Sequence, residues 1–130
     1  IRADGHTPII RGFAWMQGEQ DSKHEESASS YAANLGQLRD RLAADLNVRQ
    51  LPLVFGQVLP YPKPLPRFTH RDLIRQQMAA ADMDSSAPQA LPLARMISTD
   101  ALTLKPDTVH YDTRGQWELG QLMARRLPRP

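Results

Sequence analysis

Residues 9–21 read Ile9-Ile10-Arg11-Gly12-Phe13-Ala14-Trp15-Met16-Gln17-Gly18-Glu19-Gln20-Asp21: a nearly unbroken apolar run that stops abruptly in a polar block. An apolar run without strict alternation marks a parallel strand covered on both faces. We therefore place a strand over residues 9–16, with Gln17, Gly18 and Glu19 at its carboxyl end. In open α/β sheets the carboxyl ends of the strands share one face, and ligands bind there.

Working outward, the strand-then-helix pattern recurs, with no sequence repeat beneath it. Tyr31, Leu35, Leu38, Leu42 and Leu46 form a stripe at helical spacing, predicting a helix over 30–45 with Ser29 or Ser30 as N-cap. A second strand is expected over 53–58 and a second helix over 70–81, with Thr69 and Asp72 placed as a capping box. A third strand is expected over 94–98 and a last helix from about Arg114, with Thr113 and Gln116 as another box. On that helix Trp117, Gly120, Ala124 and Leu127 share a face, and Gly120 is expected to let it lie close to the sheet. Pro60-Tyr61-Pro62-Lys63-Pro64-Leu65-Pro66 cannot be regular structure, because proline removes donors and fixes φ. It reads as an extended wall beside a site or an interface.

Alternating strands and helices imply an α/β fold: three α/β/α layers around a parallel sheet of the flavodoxin-like kind, with right-handed crossovers. Three strands leave a long apolar edge, an aggregation hazard unless something covers it. The sheet is therefore expected to be incomplete on its N-terminal side, to be completed by upstream sequence or a partner chain.

The length, 130 residues, fits one domain, and 41% hydrophobic with 23% charged residues is ordinary for a globular chain. No apolar stretch approaches a membrane span, so no membrane partner is expected. The net charge is +2 and no basic stripe is interleaved with aromatics, which argues against nucleic acid. With no cysteine the chain has no disulfide, no thiolate zinc site and no cysteine nucleophile.

A second motif, Asp107-Thr108-Val109-His110, precedes the last helix. An acid three residues before a histidine can hold one ring nitrogen so that the other accepts a proton. In Gln17-Gly18-Glu19 the glycine would let a substrate approach the backbone, and a neighbouring amide could donate to a developing oxyanion. Gln57, Ser98 and Asp100 also fall at strand ends, but each reads equally well as a local loop residue. His24-Glu25-Glu26 is metal-like in composition only, since adjacent side chains do not converge on one ion. A weaker metal reading would use His110, Asp107 and Asp112. His6 and His70 read as surface or capping residues.

With these residues assembled, the chain resembles the SGNH-type esterases, in particular the sialate O-acetylesterase and acetylxylan esterase-like group, the family 6 carbohydrate esterases. The likeness is carried by residues 12–21, by Tyr31-Ala32-Ala33-Asn34-Leu35, by Leu51-Pro52-Leu53-Val54-Phe55-Gly56-Gln57-Val58, less clearly by Ile74-Arg75-Gln76-Gln77, and by residues 107–110. It implies that Asp107 and His110 are the acid and base of a Ser-His-Asp triad, and that Gln17 and Gly18, with Glu19, line the oxyanion and substrate site. It further implies removal of acetyl groups from sugars with no metal and no cofactor. It also suggests a secreted or periplasmic setting, which the residues themselves do not reveal. In that family the serine lies in a G-Q-S-N-type motif upstream of W-x-Q-G-E. Ser22, Ser27, Ser29, Ser30, Ser85, Ser86 and Ser98 all lack that context, so the nucleophile is not identified in this chain. Residues 1–130 are thus expected to be the C-terminal portion of one SGNH-hydrolase-like domain, inactive in isolation, acting on an acetylated carbohydrate. The competing expectation is a non-catalytic carbohydrate-binding or partner module that kept the fold without the nucleophile.

Overall fold

A computed structural model describes residues 2–60 and 66–128. Its elements are β1 (Phe13–Trp15), α1 (Glu25–Ser29), α2 (Tyr31–Asp45), β2 (Leu53–Gly56), α3 (Arg71–Ala81), β3 (Ala94–Ile97) and α4 (Thr113–Arg126), with short 3-10 turns at Arg2–Asp4 and Asp21–Lys23. The strands form one parallel sheet in the order β1-β2-β3, with Phe13 beside Leu53 and Leu53 beside Ala94. This is the expected α/β architecture.

Strand alternation sorts the core into two layers. Leu53 and Phe55 face Tyr31, Leu35, Ile74 and Met78 of α2 and α3, while Val54 and Ile97 face Leu119 and Met123 of α4. All four β2 residues are buried, as befits the central strand. No helix among the described residues is long and apolar enough to cross a membrane.

β1 is shorter than its sequence suggests. Ile9 and Ile10 are exposed, and the ladder begins where Phe13 N–H donates to the Pro52 carbonyl at 2.8 Å. Pro52 has no N–H to return, so pairing does not extend further back. The proline-rich wall expected over 60–66 falls largely on residues 61–65, outside the described residues.

The N-cap falls at the expected place in α2 but not in α3 or α4. Ser30 occupies the N-cap of α2, but its hydroxyl bonds the Glu26 carbonyl at 2.7 Å because α1 runs almost directly into α2. At α3 the N-cap is His70 with no side-chain bond, and Asp72 pairs with Arg71 at 3.0 Å rather than closing a box. At α4 the cap is Asp112, whose Oδ1 accepts Gly115 N–H at 2.8 Å and the Thr103 hydroxyl at 2.6 Å. A carboxylate outcompetes Thr113 for that role. Gln116 then donates to the Tyr111 carbonyl at 2.9 Å.

The buried face of α4 is Gly115, Leu119 and Met123, not the stripe through Trp117. Gly115 is the close-approach glycine, since a Cβ there would overlap the Thr103 carbonyl, whereas nothing lies within 4 Å of a Cβ at Gly120. Trp117 is 70% exposed. The face it was expected to share with Gly120 therefore lies outward rather than against the sheet.

Candidate active site

The polar block after β1 is a turn held by distant residues. The Tyr31 hydroxyl donates to the Gln17 carbonyl at 2.6 Å and accepts from Trp15 Nε1 at 3.2 Å. Burial pushes the Tyr31 phenol well above its ordinary range, so it remains a donor. Gln17 Nε2 donates to Asp21 Oδ2 at 2.6 Å. Buried Ser22 closes the turn: its N–H bonds the Gly18 carbonyl at 3.1 Å and its hydroxyl the Glu19 carbonyl at 2.7 Å. The Ser22 carbonyl in turn accepts His70 N–H at 2.9 Å, tying the turn to the start of α3.

Gly18 has φ +149°, and a Cβ there would sit 2.6 Å from Met78 Cε and 3.2 Å from Ile74 and Val58 side-chain carbons. The glycine is therefore required by backbone geometry and by the packing of α3. This corrects the reading of Gly18 as an open approach for substrate, because its free side is filled by the core.

The Asp107–His110 loop is held by its own residues. Asp107 Oδ1 accepts the N–H groups of Val109 and His110, both at 2.9 Å, and Oδ2 meets His110 Nδ1 at 2.7 Å. These bonds, that from the imidazole first, hold the Asp107 carboxyl well below the usual carboxylate range. Lys105 N–H donates to the His110 carbonyl at 2.7 Å and closes the loop. Thr108 takes the left-handed conformation at φ 60°. An ionised carboxylate on Nδ1 makes Nε2 the nitrogen with the free lone pair. Nε2 has no partner among the described residues, and the ring side chain is 72% exposed.

A groove of about 580 Å³ opens beside this imidazole. Met16 and Glu19 line it from the end of β1, Val109, His110 and Tyr111 from the loop, and Gln116, Leu119, Gly120 and Met123 from α4. The structure thus brings Glu19 and His110 to one cavity. The Gln17 side chain lines a separate, smaller hollow with Trp15, Asp21, Tyr31 and Leu35. Consecutive residues leave a strand on opposite faces, so Gln17 and Met16 part company at its end.

The remaining candidates serve the scaffold. Gln57 is buried and donates to the Arg75 carbonyl at 3.1 Å. Asp100 receives both 2.9 Å bonds of Arg75 Nη2, and the Ser98 hydroxyl reaches Asp100 at 3.3 Å. Arg75 Nη1 also donates to the Val58 and Leu59 carbonyls at 3.0 and 3.2 Å, and Arg71 Nε to Leu59 at 2.9 Å. Sequence reasoning missed these two buried arginines and Tyr111. Burial pushes the Tyr111 phenol up to about 12. Its hydroxyl lies beside that of Thr99, which donates to the Gln57 carbonyl. Among the described residues no group of three His, Cys, Asp or Glu side chains could hold a metal. Asp112 in particular is committed to capping α4, which removes it from any site with His110 and Asp107.

The Asp107–His110 pair thus lies in the loop that joins β3 to α4, at the carboxyl edge of the parallel sheet. Comparison with known proteins identifies the family. The profile described as carbohydrate esterase, sialic acid-specific acetylesterase, matches residues 1–129, and the chain belongs to that family. It is 31% identical over 117 residues to a protein of Arabidopsis thaliana described as a probable carbohydrate esterase, covering 88% of this chain and 39% of that protein. The X-ray structure of the same Arabidopsis protein superposes with a TM-score of 0.73 at 26% identity, over 90% of this chain and 43% of that one. The chain therefore spans about two fifths of the length of these relatives.

Proposed function

We propose that this chain supplies the base and its orienting acid to a serine esterase that removes O-acetyl groups from sugars, of the SGNH, family 6 kind. The carrying observation is the 2.7 Å contact between Asp107 Oδ2 and His110 Nδ1, which leaves Nε2 to take a proton. The nucleophilic serine comes from sequence upstream of residue 1. Its hydroxyl proton passes to His110 Nε2 as its oxygen bonds the acetyl carbon. The resulting oxyanion falls to amide donors of the Gln17–Glu19 block. Nε2 then returns the proton to the departing sugar oxygen as the ester bond breaks. A water, deprotonated by the same nitrogen, releases acetate and restores the serine. The chain's segment 17–22 is immobilised before substrate arrives, as preorganised donors must be.

The test is acetate release from O-acetylated sugars by the full-length protein and by its His110→Ala variant. Loss of hydrolysis in the variant, with a serine-directed phosphonate labelling a serine upstream of residue 1, is the expected result. Hydrolysis retained by His110→Ala overturns the assignment. Sugar binding without any acetate release in the wild type would instead indicate the non-catalytic module.

A further inference from the structure

We infer that Trp117 is a stacking platform for a sugar ring of the substrate, the ring next to the one whose acetyl group meets His110. The substrate is then an acetylated oligosaccharide or a longer glycan rather than a single sugar. The inference rests on the proposed function for the role of His110, but the platform itself is read from α4. Tryptophan carries a large apolar face that a folded chain ordinarily keeps mostly covered. Here it is 70% exposed, on the second turn of α4. Its neighbours one turn away on the helix surface are Thr113, Arg114, Gly120 and Gln121, none of them large and apolar. The other exposed large apolar residues, Ile9, Ile10, Leu46 and Leu93, all lie outside α4. A protein partner needs a contiguous apolar patch, which this surface lacks. A lone aromatic among polar side chains suits a ligand with an apolar face and a polar rim. A sugar ring is such a ligand. Its C–H groups, polarised by the oxygens, meet the negative face of the indole while its hydroxyls point out to the side.

The ring is also in the right place. A helical side chain leans toward the N-terminus of its helix, and the N-terminus of α4 is the end that follows His110. A hollow of about 640 Å³ lies on that side, lined by Trp117, Thr113, Arg114 and Gln116. Gln116 lines the groove beside His110 as well, so a single side chain stands between the two hollows. That side chain is fixed, because its Nε2 donates to the Tyr111 carbonyl at 2.9 Å. Gly120, between Trp117 and the groove on the helix surface, has nothing within 4 Å of a Cβ and adds no side chain to shield the ring. Trp117 stands about 6 Å along the axis from the first residue of α4, a step comparable with the length of one sugar unit. At the rim Arg114 gives Nε to Glu118 at 2.7 Å. Its Nη groups have no hydrogen-bond partner among the described residues and are donors for sugar hydroxyls.

The test compares the full-length protein with its Trp117→Ala and Trp117→Phe variants on two kinds of ester. One is a set of partially O-acetylated oligosaccharides of glucose, xylose and mannose; the other is nitrophenyl acetate, which carries no sugar. In Trp117→Ala, kcat/KM should fall on the order of tenfold more for the best oligosaccharide than for the aryl ester, with the loss in KM. Trp117→Phe should recover most of that loss. Because the ring is exposed, Tm should match the wild type in both variants. Equal losses on the two esters, or none, overturn the inference and leave the esterase reading intact. A lower Tm for Trp117→Ala shows that protein covers the ring, and also overturns it. Calorimetric titration with the same glycans separates the two claims. Glycan binding that Trp117→Ala weakens, in a wild type that releases no acetate, upholds the platform and overturns the esterase reading instead. A wild type that neither binds nor hydrolyses any of these glycans overturns the platform.

Discussion

The two loops that face the carboxyl edge of the sheet are built on opposite principles. In the turn after β1 the holding groups come from far away in sequence: Tyr31 grips the Gln17 carbonyl, His70 bonds Ser22, and Met78 presses on Gly18. In the loop before α4 every bond to Asp107 comes from Val109 or His110, within three residues. The first loop is part of the core and cannot move without it. The second is a self-contained clamp on the surface. Damage to the first should therefore read out as stability, and damage to the second as chemistry with the fold intact.

The largest effect expected is on chemistry alone. In Asp107→Asn, the amide oxygen can still accept the backbone N–H groups of Val109 and His110, so the loop keeps its shape. The amide nitrogen, however, faces Nδ1 with a donor, which forces the imidazole into the tautomer that carries its proton on Nε2. On the proposed function, that nitrogen can then no longer take a proton from the serine. In the full-length protein kcat for an acetylated sugar should fall on the order of 10⁴-fold, as for other triads deprived of their acid in this way, while Tm stays at the wild-type value. A variant that loses stability as well as rate would break the contrast between the loops, and near wild-type activity would remove Asp107 from the mechanism.

Gly18→Ala is the converse probe. The methyl group must occupy space 2.6 Å from Met78 Cε, at a φ of +149° that an alanine adopts only under strain. The backbone term is worth about 1–3 kcal/mol, and crowding a packed core adds about 1–3 kcal/mol. Urea unfolding should show a lower midpoint at unchanged slope. Unchanged stability would mean that the turn is no more anchored than the Asp107 clamp.

This division also explains what could be read from sequence. The D-x-x-H geometry was legible because its contacts are local, and the three strands with α2, α3 and α4 were legible from apolar runs and helical spacing, whereas the short α1 was not. The direction of the Gln17 side chain was not, since it depends on Tyr31 fourteen residues away and on the face each residue takes as the strand ends. Nor were Arg71 and Arg75. They are buried because the backbone turns out of the sheet at Leu59, at φ 55°, and the carbonyls of Val58 and Leu59 need donors there. Nothing near residue 58 in the sequence announces that need. On α4 the choice of Asp112 over Thr113 as cap fixed the helix register, and Trp117 was misjudged with it.

The smallest effect tests whether local clamps in this region act through charge. Asp112 caps α4 with its Oδ1, and the Gly115 N–H, then the Thr103 hydroxyl, hold its carboxyl below the ordinary value. Asparagine is as good an N-cap acceptor, so Asp112→Asn keeps the hydrogen bonds and loses only the charge at the helix N-terminus. A carboxyl whose folded pKa lies below its unfolded value stabilises the protein above the unfolded pKa, about 3.9 for aspartate. The contribution disappears as pH falls through the folded value. The wild type should therefore melt slightly above Asp112→Asn at pH 7 and at about pH 5, with the gap closing as the pH is taken below the unfolded aspartate value. Paired thermal melts across that range read the gap directly. Equal melting of the two proteins at pH 7 would show that the cap works through hydrogen bonding alone, and that Asp112 holds α4 by shape rather than by charge.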